Sequence, residues 1–284
     1  MIPTTFDYVR ATSVDDALAR IAAANGAGKF IAGGHSLVPL MKLRLSEPQL
    51  LIDISRIADL GGISERDGKI VIGAGTVHHD VATSALLKQQ CPVVAECAEA
   101  IGDPQVRNRG TIGGSLAHAD PSADMPAVMA ALDAEIHLKG PKGWRVVKAP
   151  AFFQDLFTVD MASDELMISI QFAAVKSAGY AKLHQRASHY AIVGVAAAIE
   201  ARGGAIASAR VGLTGAASHA TRLTNVEQAV AGTPLSDASI DAAAALAGVG
   251  IDDLNADLHA SAEYRRAMIS VFTRRALQAA KARV

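Results

Sequence analysis

The stretch Ala32-Gly33-Gly34-His35-Ser36, with its counterpart Thr111-Ile112-Gly113-Gly114-Ser115, decides how this chain is read. The first follows Lys29-Phe30-Ile31-Ala32, which reads as a short buried strand, and precedes Leu37 to Leu43, which reads as a helix. Pro39 fits that helix because it falls in the first turn, where its missing N–H has no partner to lose. Gly33 and Gly34 permit positive φ and close approach. The N–H groups of Gly34, His35 and Ser36 then face outward at a helix start, where the backbone dipole favours an anion. Ser36 can cap the helix or bond a phosphate oxygen.

A lone glycine pair also suits a tight turn with nothing bound; the second pair changes the balance. Arg107-Asn108-Arg109-Gly110 leads into it, and His118-Ala119-Asp120-Pro121-Ser122-Ala123-Asp124 follows within ten residues. Thr111 and Ser115 offer hydroxyls, and Asp120 and Asp124 can accept from ribose or ribityl hydroxyls. Two such bends in one chain suggest a ligand with a pyrophosphate in its middle. Neither a G-x-x-x-x-G-K-[ST] run nor a G-x-G-x-x-G fingerprint occurs, which disfavours a nucleoside triphosphatase and a Rossmann domain.

Working outward, residues 1–55 read as a β-α-β-α-β unit, with Ser13 as N-cap and an acid three residues later at Asp16. Residues 56–176 read as α+β. A hairpin turns at Asp67-Gly68, helices cover about 78–88 and 92–101, strands cover 134–138 and 144–147, and a last strand runs from Leu166 to Phe172. From 177 to 284, strands at 181–185, 193–200 and 205–213 precede helices at about 222–231, 236–248 and 263–283, with the Ala-rich stretch 242–247 inside the second.

The bulk numbers exclude several classes. With 284 residues, half of them hydrophobic but only 4% aromatic, the chain can bury a core of Ala, Val, Leu and Ile. A net charge of −1 argues against nucleic-acid or membrane-surface binding. The start, Met1-Ile2-Pro3-Thr4-Thr5-Phe6-Asp7, has no signal-peptide pattern, and the longest apolar run, Tyr190 to Ile199, is half the roughly 20 residues of a transmembrane helix. A cytoplasmic protein is expected. Cys91 and Cys97 are the only cysteines, too few for an iron–sulfur cluster, and read as small core residues. His78-His79-Asp80 reads as a solvent-exposed histidine pair, since adjacent helical residues diverge by about 100°; no metal site is expected. Tyr264-Arg265-Arg266 reads as a solvated helix face or a partner contact.

The two glycine motifs resemble those of the FAD-binding medium subunits of the molybdenum hydroxylases, the carbon monoxide dehydrogenase and xanthine dehydrogenase family. The resemblance extends to Phe6-Asp7-Tyr8, Leu51-Ile52-Asp53-Ile54, Asp103-Pro104-Gln105-Val106-Arg107 and Ala191-Ile192-Val193-Gly194-Val195-Ala196-Ala197-Ala198. It implies an α+β chain: a two-subdomain FAD-binding fold of the PCMH type over 1–176 (subdomains about 1–55 and 56–176), then a C-terminal domain over 177–284 with a three-stranded antiparallel sheet and helices. Residues 32–36 and 111–115 would cradle the FAD pyrophosphate and ribityl groups, and Asp124 the sugar chain. Met167 would lie against a ring, Lys182 near the flavin's polar edge, and Tyr190 over one isoalloxazine face. A lysine at that edge would stabilise the charge that builds at N1–C2=O on reduction.

The resemblance further implies a small iron–sulfur subunit, a large molybdopterin subunit and an external electron acceptor, with molybdopterin and [2Fe-2S] clusters held outside this chain. Two rivals stay open at this point: a self-contained FAD oxidase or reductase of related fold, and a non-catalytic nucleotide-binding scaffold.

Overall fold

In the computed structural model, which describes residues 2–284, three larger sheets follow one another along the chain, with a small two-stranded sheet beside the second. The first comprises β1 (Asp7–Arg10), β2 (Gly28–Ile31) and β3 (Leu50–Asp53), with α1 (Val14–Ala23) and α2 (Leu37–Lys42) between them. The strands are parallel in the order β1-β3-β2, so Leu50 pairs with both Asp7 and Gly28. Helices as connections dictate this, because a parallel pair needs a crossover rather than a hairpin. α1 starts where it does because Ser13 Oγ accepts from Asp16 N (3.1 Å). Ala17, Ile21, Ile52 and Leu60 form the small core under this sheet.

The second sheet is antiparallel, in the order β4-β5-β10-β6-β7. Its first hairpin joins β4 (Ile63–Arg66) to β5 (Lys69–Gly73) through Asp67 (φ 51°) and Gly68 (φ 73°), the paired positive φ of a type I′ turn. A helical stretch follows: α3 (His78–Thr83), α4 (Ala85–Gln90), α5 (Pro92–Glu99), α6 (Pro104–Arg107), α7 (Ile112–His118) and α8 (Met125–Ala131). The single helix expected over 78–88 is broken at Ser84. This residue leaves the helical region (ψ 119°), and its Oγ accepts from Leu87 N to cap α4. Then come β6 (Glu135–Gly140), β7 (Gly143–Lys148), α9 (Ala149–Phe152), the two-stranded β8 (Phe153–Asp155) and β9 (Thr158–Val159), and β10 (Leu166–Ala173).

The central strand β10 joins two cores. Leu166 and Ile168 belong to the first core, whereas Met167, Ile170 and Phe172 belong to the larger second one. The register irregularity between Met167 and Ser169 switches the alternation partway along the strand.

The third sheet runs β11 (Ala178–His184), β12 (Ala191–Arg202), β13 (Ala205–Thr214) and β14 (Thr221–Arg222), all antiparallel. It has four strands rather than the expected three. The addition is the two-residue β14, whose Arg222 and Thr221 pair with Gly212 and Leu213. Two residues carry no readable period, and the helix expected from 222 begins only at Thr224.

The helices α10 (Thr224–Val230), α11 (Asp237–Ala244) and α12 (Ala262–Lys281) complete the chain. Of the Ala-rich stretch, only 242–244 are helical, and turns follow. Arg265 is not solvated as expected: it is 2% exposed and donates to Ile192 O, Gly215 O and Asp257 Oδ2. Arg266 likewise caps carbonyls, those of Gly248 and Ile251.

Every residue of α8 is buried. The third sheet lies against it so closely that a Cβ on Gly212 would stand 2.2 Å from Ala127 O, and Arg210 donates to Ala131 O. Just ahead of α8, Thr214 Oγ1 donates to Pro121 O (2.8 Å) and Ala123 O (2.7 Å), and Ala191 N donates to Ser122 O. This seam fixes the third sheet on the helices that follow the second glycine pair.

Candidate functional site

The two glycine bends, 75 or more residues apart in sequence, touch. A Cβ on Gly33 would stand 2.1 Å from Arg109 O and 2.9 Å from Gly110 Cα, both backbone atoms of the second bend's lead-in. Gly33 is therefore glycine because another main chain lies against it. Its φ is not positive; only Gly34 (φ +73°) uses that freedom. Gly113 is pressed in the same way on Ala74, where a Cβ would come within 2.5 Å of the alanine methyl.

The accounting of N–H groups separates the bends. Among the described residues, the N–H groups of Gly33, Gly34, His35 and Ser36 make no main-chain bond, and Ser36 makes no side-chain cap. His35 Nδ1 donates to Gly33 O at 3.1 Å, which holds the imidazole over the bend. The second bend spends its amides internally. Ile112 N donates to Thr76 O, Gly113 N to Ala74 O, Gly114 N to Thr111 Oγ1 and Ser115 N to Thr111 O. The expectation of amides facing an anion at both pairs is corrected here: the free main-chain donors of the two motifs are concentrated in the first. The second supplies the exposed face of Gly114 and the half-buried Ser115.

Beyond α7 lies a buried polar cluster. Asp124, 5% exposed, accepts from the Tyr180 hydroxyl and from Lys182 Nζ (3.0 Å). Lys182 also donates to Ala100 O (2.7 Å) and His189 O (2.8 Å), so its three N–H donors are all committed to the protein. No N–H remains for the flavin-edge contact that the resemblance implies. Burial pushes the Asp124 carboxyl upward against the pull of Lys182, and pushes the Tyr180 hydroxyl well up as well. Tyr190, by contrast, is 46% exposed on the β11–β12 loop, and burial of its hydroxyl near Asp120 and Asp124 raises its pKa.

Residues 4–173 match the family described as FAD binding domain in molybdopterin dehydrogenase, and residues 178–280 match the CO dehydrogenase flavoprotein C-terminal domain. The chain belongs to the FAD-binding medium subunits of the molybdenum hydroxylases. It is 39% identical to the carbon monoxide dehydrogenase medium chain of Hydrogenophaga pseudoflava, over 100% of this chain and 99% of that one. It is 38% identical to the alpha subunit of the 6-hydroxypseudooxynicotine dehydrogenase complex of Paenarthrobacter nicotinovorans, over 98% and 95%. Among solved structures, carbon monoxide dehydrogenase from H. pseudoflava, lacking the Mo-pyranopterin moiety, superposes with a TM-score of 0.95 at 40% identity, covering 100% of this chain and 99% of that one.

The medium subunit's own residues fit an FAD diphosphate. Four successive unpaired N–H groups at 33–36, beside a bend that contributes a small exposed glycine, form a donor set that a doubly charged bridge can fill. The structure brings Ala32–Ser36 and Thr111–Ser115 together, and draws Asp124, Lys182 and the Tyr190 loop into one cluster near the seam. Met167 sits apart from solvent, 4% exposed in the second core.

One site residue, Tyr180, goes unmarked in the sequence, and one, His78, lies in an environment opposite to that expected. Tyr180 lies two positions before Lys182 on one face of β11, a period-two spacing that a strand assignment starting at 181 cut off. His78 is 4% exposed with Nδ1 unpartnered, and burial lowers its pKa to about 4, so only His79 of the expected exposed pair is exposed. Its ring packs 3.2 Å from the position of a Cβ on Gly110, which the sequence gives no means of seeing.

Proposed function

We propose that this chain is the electron-output subunit of a molybdenum hydroxylase. It would receive electrons from iron–sulfur clusters of a small partner subunit and deliver them to an external acceptor, while a large molybdopterin subunit oxidises the substrate. FAD supplies the step between one-electron carriers and a two-electron acceptor. The chain's residues bind and orient it. The amides at 33–36 hold the diphosphate, with Ser36, Thr111 and Ser115 around it; Asp124 acts from behind the site, through Lys182 and the loop that carries Tyr190, Met167 packs in the core beneath, and Tyr190 covers one isoalloxazine face. On this reading residues 1–176 hold FAD, residues 177–284 bring Tyr190 to it, and the complex works in the cytoplasm.

The observation that carries the reading is the contact between the two glycine bends, with unpaired donors on one of them. The two cysteines, both buried, agree with clusters located elsewhere. No helix of the described residues is long and apolar enough to cross a membrane.

The test is rapid mixing of the purified heteromeric complex with its organic substrate, followed at cluster and flavin wavelengths. Cluster bleaching ahead of flavin bleaching supports the proposal. Reduction of the flavin in this subunit alone by the same substrate would instead favour a self-contained oxidoreductase, and a complex that purifies without flavin would favour a scaffold. Because relatives of nearly equal identity carry carbon monoxide and 6-hydroxypseudooxynicotine in their names, the substrate is a property of the partner.

A further inference from the structure

We propose that Tyr180 and Lys182 form a positioning clamp that seats the Tyr190 loop on the FAD-binding region by gripping Asp124 from two sides. The inference rests on the reading above, in which the Tyr190 ring lies against the flavin.

The two side chains project from one face of β11, two residues apart, and meet at a single carboxylate just ahead of α8. Tyr180 donates its hydroxyl to Asp124 Oδ1, and Lys182 Nζ lies 3.0 Å from the same atom and 3.1 Å from Oδ2. The other two ammonium donors bridge the regions: one goes to Ala100 O at the end of α5, the other to His189 O beside Tyr190. The loop 185–190 is itself preformed. Gln185 Oε1 accepts from Ala187 N and Ser188 N, Gln185 N donates to Tyr190 O, and His189 takes a left-handed φ of 60°. The β11–β12 pairing carries the loop, and two bonds tie it across to the FAD-binding region: the Lys182 ammonium, which joins His189 O to Asp124 and Ala100 O, and Ala191 N to Ser122 O.

Gly194 shows that space is kept for the clamp. A Cβ there would stand 2.5 Å from the Tyr180 hydroxyl oxygen and 2.8 Å from Thr214 Cγ2. An ion pair this buried adds little net stability over well-packed apolar side chains. What it supplies is a fixed distance between β11, α5 and the loop.

The test uses the assembled complex with FAD bound and compares Tyr180→Phe, Lys182→Met and Tyr190→Ala with the wild type. A tyrosine ring in contact with an excited flavin quenches it by electron transfer, so the long-lived component of flavin emission reports molecules whose ring has moved away. Loss of one hydrogen bond to a charged group shifts the seated-to-unseated ratio about tenfold. The long-lived amplitude in Tyr180→Phe is therefore expected to rise about tenfold, with flavin-to-protein ratio retained, and further in Lys182→Met. Wild-type emission in Tyr180→Phe, alongside raised emission in Tyr190→Ala, would overturn the clamp and leave the site reading intact. Unchanged emission in Tyr190→Ala would overturn both. Loss of FAD without change in the emission of the flavin that remains would mark a merely structural role and also refute the clamp. Tyr180→Phe keeps the ring volume and decides the matter even if Lys182→Met fails to assemble.

Discussion

Gly33→Ala isolates the contact between the two bends. An added methyl would lie 2.1 Å from Arg109 O, short of an ordinary C···O separation of about 3.3 Å by more than 1 Å. The obstructing atoms are backbone, so no side-chain rotation relieves the clash and the bends must part. Alanine is otherwise compatible with residue 33, whose φ is not positive, so the penalty is steric rather than conformational. Overpacking of this kind costs about 2 kcal/mol. If FAD needs both bends in place, that cost appears in its affinity as a loss of about thirtyfold. The assay is FAD titration of deflavinated complex, read by quenching of flavin emission. Gly61→Ala is the control, because a methyl there meets only Ala58 O at 3.6 Å. Wild-type FAD affinity in Gly33→Ala would refute the argument that contact between the bends builds the site.

Three other outcomes are expected. His78 is held neutral with a pKa of about 4, below an unfolded value of about 6.5. The stability it contributes is full above pH 6.5 and is lost as pH falls toward 4. Between pH 7 and 4.5 the loss is about 2 kcal/mol, and urea melts of His78→Gln should lack this part of the acid slope; an unchanged slope would rule it out. Arg265→Leu strips donors from two carbonyls and from Asp257; it should cost about 3 kcal/mol by denaturant melts, and a loss under 1 kcal/mol would contradict the anchor. Burial pushes the Cys91 thiol up to about 12 and the Cys97 thiol well up as well. A thiol reagent at pH 8 should then label neither cysteine in the folded protein and both after unfolding, and rapid native labelling would count against the packing of α5.

Local chemistry made much of this legible. The Asp67-Gly68 hairpin, the Ser13 cap and the alternation of sheets and helices follow from turn residues, capping and periodicity, which act over a few residues. Contacts across long separations were hidden. Nothing near Gly33 announces Arg109: the motif suggests positive φ and anion approach, whereas a neighbouring main chain is what requires the glycine. The second bend's amides bond to Thr76 and Ala74, which come from another loop and leave no trace in the motif itself. Lys182 was placed by resemblance, and no spacing shows that three acceptors from three segments consume its donors. β14 is two residues long, too short to carry a period of its own, and its Arg222 and Thr221 pair with Gly212 and Leu213 of a neighbouring strand.

The full enclosure of α8 bears on how such a chain could be divided. Severing it near residue 176 would leave the N-terminal piece with a bare strip of alanine, valine and methionine along Met125–Ala131, and the C-terminal piece with an unpaired arginine at 210 reaching for a carbonyl it had lost. Each half would be sticky, and neither would be a self-sufficient module. Any natural recombination that reuses the flavin-holding part would therefore carry the four-stranded part along as its lining.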